Sequence, residues 1–170
     1  MKSNITIVCV ISGLCKKIAE DVAKKFDFYA VDVQDFLVFN MVDEQKTTDT
    51  CGVDYLNKLQ QDAINEVANY YDTVISVHPK FLMEKKNAAV LKKKSIVIYL
   101  QITEPALKEY AKTLKDKAEK STLLADALVV NERDKILVPA SDIVLDFSKL
   151  NEKLIVKKIG HEISKFMTKS

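Results

Sequence analysis

Apolar positions change period several times along the chain, and each change predicts an element. Ile5 to Ile11 is an unbroken run of β-branched and apolar residues, with Thr6 and Cys9 among them. Such a run predicts a strand covered on both faces, as in a parallel sheet. Ser12-Gly13 reads as a break. Ile18, Val22 and Phe26 then recur every fourth residue with Ala19 and Ala23 beside them, the stripe of an amphipathic helix. Phe28 to Val31 predicts a second strand, and a helix begins near Asp32 to Leu37. The polar stretch Asp43 to Asp54 reads as a loop. Leu56, Leu59, Ala63 and Val67 mark another helix. Thr73 to Val77 and Ser95 to Leu100 predict buried strands, with Lys92-Lys93-Lys94 as a solvated turn before the second. Leu107, Ala111, Leu114 and Ala118 stripe one charged helix. Ile143 to Leu145 predicts the last strand, and Ile155, Ile159, Ile163 and Phe166 the closing helix. The region Ala125 to Val138 fits two readings: a strand over Leu128 to Val130, or a short helix and loop.

Strands alternating with helices imply a three-layer αβα domain of class α/β, with a central parallel sheet of about five strands. Ligands in such folds bind beyond the carboxyl ends of the strands. No linker or repeat divides residues 1–170, so one domain is expected, with a lid-like segment around 108–126.

Composition narrows the function. Hydrophobic residues make up 48% and charged residues 29%, and the formal net charge is +2. That balance argues against nucleic acid or an anionic membrane as partner. No apolar run approaches the ~20 residues needed to span a bilayer, and no signal-peptide pattern opens the chain. Cys9, Cys15 and Cys51 are odd in number and lack metal-ligand spacing. A reducing, cytoplasmic setting is expected. Glycine is scarce: the 3 present are Gly13, Gly52 and Gly160, against a usual share of about 7%. Glycine lets backbone amides close on a phosphate, so the composition opposes ordinary nucleotide chemistry.

A strand, a turn and a helix is where a phosphate loop G-x-x-x-x-G-K-[ST] belongs. Here the segment reads Cys9-Val10-Ile11-Ser12-Gly13-Leu14-Cys15-Lys16-Lys17. Without a gap, Cys15 stands at the lysine position and Lys16 at the hydroxyl position. With one deletion these become Lys16 and Lys17. Neither alignment supplies the metal-binding hydroxyl or the glycine framework. Ser12, Gly13, Lys16 and Lys17 are candidate anion ligands at a helix N-terminus; the plain alternative is a solvated first turn.

Three segments resemble the shikimate kinase family across nearly the whole chain. Phe28-Tyr29-Ala30-Val31-Asp32-Val33-Gln34-Asp35-Phe36-Leu37 looks like its second strand and D-x-D motif. Ser95-Ile96-Val97-Ile98-Tyr99-Leu100, followed by Thr103 and Leu107, looks like its V-V-Y-L strand and next helix. Arg133 to Asp146 looks like its R-x-P-x-Y-x-x-x-A-D-x-x-x-D stretch, with Arg133, Asp142 and Asp146 at matching spacing. The resemblance implies a P-loop kinase fold using ATP and Mg²⁺. It places Asp32 near the metal, while Gln34 replaces a substrate-hydroxyl aspartate. Asn57 stands where a carboxylate-binding arginine belongs, and Val77-His78-Pro79 replaces a glycine triplet. Tyr110 aligns with a nucleotide-packing arginine. Ser121-Thr122-Leu123-Leu124 replaces the lid's R-P-L-L, leaving Lys120 as the neighbouring cation. Arg133 keeps the second carboxylate-binding position.

The expectation is therefore a catalytically degenerate member that binds a small anionic metabolite around Asp32, Gln34, Asn57 and Arg133, or acts on a protein partner or as a homo-oligomer. The alternative is an active small-molecule kinase in which Lys16, Lys17, Lys120 and Arg133 neutralise phosphate and Asp32 positions Mg²⁺. Plain readings stand beside these. Asp32 suits a helix N-cap, and Arg133 suits an ion pair with Glu132 or Asp134. Cys9 suits the core, Cys15 either a reactive or an ordinary thiol, His78 a structural role, and His161 the surface.

Overall fold

The computed structural model describes residues 2–168. The five expected strands form. They are β1 (Asn4–Val8), β2 (Tyr29–Asp32), β3 (Thr73–Val77), β4 (Ser95–Gln101) and β5 (Ile143–Asp146). All neighbouring pairs are parallel, in the order β2-β3-β1-β4-β5. β1 lies at the centre, with Ile5 opposite Val74 on one side and Ile96 on the other. Its side chains alternate between two apolar layers. Ile5 and Ile7 join the layer beneath helices α1 (Ser12–Phe26) and α8 (Glu152–Thr168), and Val8 joins the layer beneath α4 (Val53–Ala68). Thr6 is also buried, where its hydroxyl meets that of Ser95 at 2.7 Å. Buried polar groups are tolerated when paired in this way.

Several local expectations change. Ser12-Gly13 is no break: the helix starts at Ser12, with Ile11 as its N-cap residue. The presumed loop over 43–54 contains helix α3 (Glu44–Cys51), which follows α2 (Val33–Phe39). No residue of α3 is buried, so it carries no apolar stripe. It is defined by its ends instead. Asp43 accepts the Lys46 amide at 2.8 Å, and Gly52 at φ 87° turns the chain into α4.

After β3 come a 3-10 turn (Pro79–Met83) and α5 (Lys85–Lys94). Lys92-Lys93-Lys94 is thus the last turn of a helix, where cations favour the macrodipole. The charged stripe from Leu107 to Ala118 splits into α6 (Glu104–Thr113) and α7 (Lys117–Ala140). Leu114 takes an extended conformation, and Asp116 restarts the helix by accepting the Glu119 amide at 2.7 Å. The ambiguous region 125–138 is wholly inside α7.

Candidate functional site

The carboxyl ends of β1, β2 and β3 open into a cavity of about 330 Å³. Its floor is the β1–α1 turn, where only Cys9, Val10 and Ile11 separate the strand from the helix. These three are buried. Beneath them the Cys15 thiol donates to the Ile7 carbonyl at 3.5 Å. Hydrogen bonding with the Cys9 side chain, followed by burial, pushes the Cys15 pKa well up. It is an ordinary buried thiol, opposite to the reactive reading. Gly13 is exposed, and a Cβ there would meet nothing within 4 Å.

Of the four candidate cations, Lys16, Lys17 and Arg133 are engaged in ion pairs, and Lys120 lies near the start of α7, outside the cavity lining. Lys16 Nζ lies 2.6 Å from Asp35 and 3.9 Å from Asp32. Burial alone would lower its pKa, but the hydrogen bond to Asp35 and the charges of Asp32 and Asp35 outweigh that and raise it. Lys17 points instead to α8, 2.5 Å from Glu152. The Glu152 hydrogen bond and charge raise its pKa. Arg133 does not pair with Glu132 or Asp134. It lies on α7 with Asp126 two turns away, and donates to Asp126 Oδ1 at 2.6 Å. Residues seven apart share a helix face, whereas adjacent ones do not.

Asp32 does two structural jobs at once. It caps α2 by accepting the Asp35 amide at 2.9 Å, and it accepts the Ser76 hydroxyl at 2.6 Å across to β3. It also lines the cavity, as do Gln34 and Ser12. Asn57 does not: it is exposed on α4 and lies outside the lining. Arg133 stands behind the wall that Asp126 forms.

Spacing did not reveal the polar centre of this cavity, which is built around Asp126. Asp126 is 8% exposed and accepts from Arg133 through one oxygen, while the other meets His78 Nε2 at 3.1 Å. His78 Nδ1 accepts the Lys80 amide at 3.1 Å. That bond places the proton of a neutral imidazole on Nε2, as a donor to Asp126. Burial would raise the Asp126 pKa, but His78 and then Arg133 pull it below the ordinary carboxylate value. Lys80 is held by both oxygens of Glu44, at 2.9 and 3.1 Å. The remaining walls come from Tyr110 and Leu114 at the end of α6 and from Glu119, Thr122 and Leu123 at the start of α7. His78 at the end of β3 was visible in the sequence; its link to Asp126, 48 positions away, was not.

A five-stranded parallel sheet with helices on both faces, and a cavity over β1 where a phosphate loop would lie, defines the αβα kinase-type fold. The chain belongs to the shikimate kinase family, whose sequence profile matches residues 16–164. Solved structures agree on the fold. A shikimate kinase from Acinetobacter baumannii, solved in complex with shikimate, superposes with a TM-score of 0.78 at 14% identity, over 97% of this chain and 94% of that one. The Bacteroides thetaiotaomicron shikimate kinase gives 0.79 at 12% identity, over 95% and 98%. That from Aquifex aeolicus gives 0.75 at 17%, over 95% and 96%. No curated protein matched the sequence.

Proposed function

We propose that this member of the shikimate kinase family is not an efficient phosphotransferase, and that it works as a small-molecule-binding or regulatory protein through the cavity described above. One observation carries the reading: the turn between β1 and α1 is three buried side chains long. A phosphate loop needs a wide bend whose amides point inward, with glycines permitting close approach. Val10 and Ile11 fill that space with side chains, and Gly13 closes on nothing.

ATP and Mg²⁺ therefore fit these residues poorly. Among the candidate cations, Lys16, Lys17 and Arg133 are committed to Asp35, Glu152 and Asp126, and Lys120 is not part of the cavity lining. Phosphoryl transfer depends almost entirely on positioning and charge neutralisation. Loss of one such stabiliser costs roughly 3–4 kcal/mol of barrier.

Titration calorimetry of the full chain with ATP and Mg²⁺, run beside a coupled assay for shikimate phosphorylation, tests the proposal. No measurable nucleotide heat and no product are expected. Micromolar binding accompanied by turnover would overturn it in favour of an active kinase with an atypical loop. The regulatory half of the reading has its own support in exposed apolar side chains, notably Phe39 at 85% and Met41 at 91%. Light scattering and a pull-down from the cognate cell extract test that half. A strict monomer that captures nothing would leave small-molecule binding alone.

A further inference from the structure

We propose that the cavity over β1 takes a small organic cation, a compact apolar body bearing a protonated amine, in preference to a carboxylate or phosphate of the same size. This rests on the reading of the cavity as a binding site rather than a phosphotransfer site, and it names the ligand class. It departs from the anionic metabolite that the family resemblance suggests.

The charge balance of the walls carries the inference. Asp32, Glu119 and Asp126 line the cavity, and among the described lining residues Lys80 is the one ammonium. Partners just outside the lining change the balance little. Arg133 neutralises Asp126, and Glu44 neutralises Lys80. Lys16 is a single positive charge shared between Asp32 and Asp35, so that group keeps one negative charge. No described cation lies within ion-pair reach of Glu119, which contributes another. Five carboxylates thus face three cations, an excess of two negative charges around a space of about 330 Å³.

An entering anion would find no unpaired cation in the lining. It would have to draw Lys80 from Glu44 or Arg133 from Asp126, and the second step would strand a carboxylate that is nine-tenths buried. An ammonium needs no such rearrangement. Glu119 lies in the wall near Tyr110, close enough that its charge helps to raise the Tyr110 pKa after burial. The two offer a carboxylate and a hydroxyl oxygen to a donor, while Val10, Ile11, Leu114 and Leu123 supply an apolar bed for the rest of the ligand. The volume is at the small end of the ~300–1,000 Å³ typical of ligand pockets, so the fitting molecule is small.

The test is a matched pair with one ring and opposite charge: cyclohexylamine and cyclohexanecarboxylate. Each is titrated into the full chain at neutral pH and low ionic strength, by calorimetry or ligand-observed NMR. The amine is expected to bind at least about tenfold more tightly, a preference that shrinks in about 0.5 M salt as screening shortens the reach of the charges. The variant Glu119→Gln should weaken amine binding several-fold while leaving the thermal midpoint in place, because that side chain is exposed. The proposal is overturned if the carboxylate binds as well as the amine, if neither binds, or if Glu119→Gln leaves the amine's affinity unchanged. These outcomes are separate from the ATP titration: phosphotransfer would refute the non-kinase reading whichever ligand charge the cavity prefers.

Discussion

At the scale of single residues, Gly13 and Asp126 separate a phosphate loop from what this chain has. Glycine in a phosphate loop cannot be replaced without a Cβ striking backbone or ligand. Gly13 instead occupies the first turn of α1, where a Cβ meets open space. Gly13→Ala is therefore expected to stabilise the fold by about 0.5 kcal/mol, since alanine is the better helix former. Urea denaturation would read the change, and a loss of more than about 1 kcal/mol would mean the turn is tighter than described.

Asp126 makes the opposite prediction. Its folded pKa lies below the ordinary carboxylate value. The native state therefore binds fewer protons than the unfolded chain in acid. Its stabilising share is complete above about pH 4 and is lost as pH falls through the lowered native value. Asp126→Asn should cost about 2 kcal/mol near neutrality, because it removes the charge opposite Arg133 from a buried pair. The gap between wild type and variant should narrow as the pH falls below about 4. A gap independent of pH would show that Asp126 acts only through its shape.

At the scale of elements, α7 is the helix that organises the site. Leu123, Ala127, Val130, Asp134 and Leu137 fall at alternating three- and four-residue intervals and form its inner face. Leu123, Ala127 and Val130 pack into the layer beneath α1 and α8, and Leu137 into the opposite layer. Asp134, midway, accepts the Tyr99 hydroxyl at 2.6 Å and the Gln101 amide at 2.8 Å. Burial and then that bond to Asp134 push the Tyr99 phenol far above its ordinary pKa, so it stays a donor.

This geometry explains why the sequence left residues 125–138 open. A second apolar line, Leu124, Leu128 and Ile136, runs along the outer face and blurs the period. The two lines differ in consequence. Leu137, fully buried, should cost about 2–5 kcal/mol on change to alanine. Leu128, 72% exposed, should cost less than about 0.5 kcal/mol. Equal costs, measured by chemical denaturation, would reverse the assignment of faces.

At the scale of the whole molecule, two apolar layers lie on either side of one sheet, and α7 contributes to both. Coupled layers of this size should unfold as one unit. Far-ultraviolet circular dichroism and tyrosine fluorescence are expected to give coincident denaturation curves, in the wild type and in Leu137→Ala alike. Two separated transitions would show that the layers are independent.

The sequence by itself determined the parallel sheet of about five strands, the helices with one apolar face, and the family, because burial on both faces or on one stripe leaves a repeating period in the chain. It also showed that the phosphate-loop glycines are missing, since residue identity alone carries that information. Only the tertiary structure decided what the remaining polar groups do. Lys16 meets Asp35, His78 meets Asp126, and Lys80 meets Glu44 across gaps of 19, 48 and 36 positions. No local period records such meetings. They arise where strand ends and helix starts converge, and the charge left over in that space is a sum over distant parts of the chain.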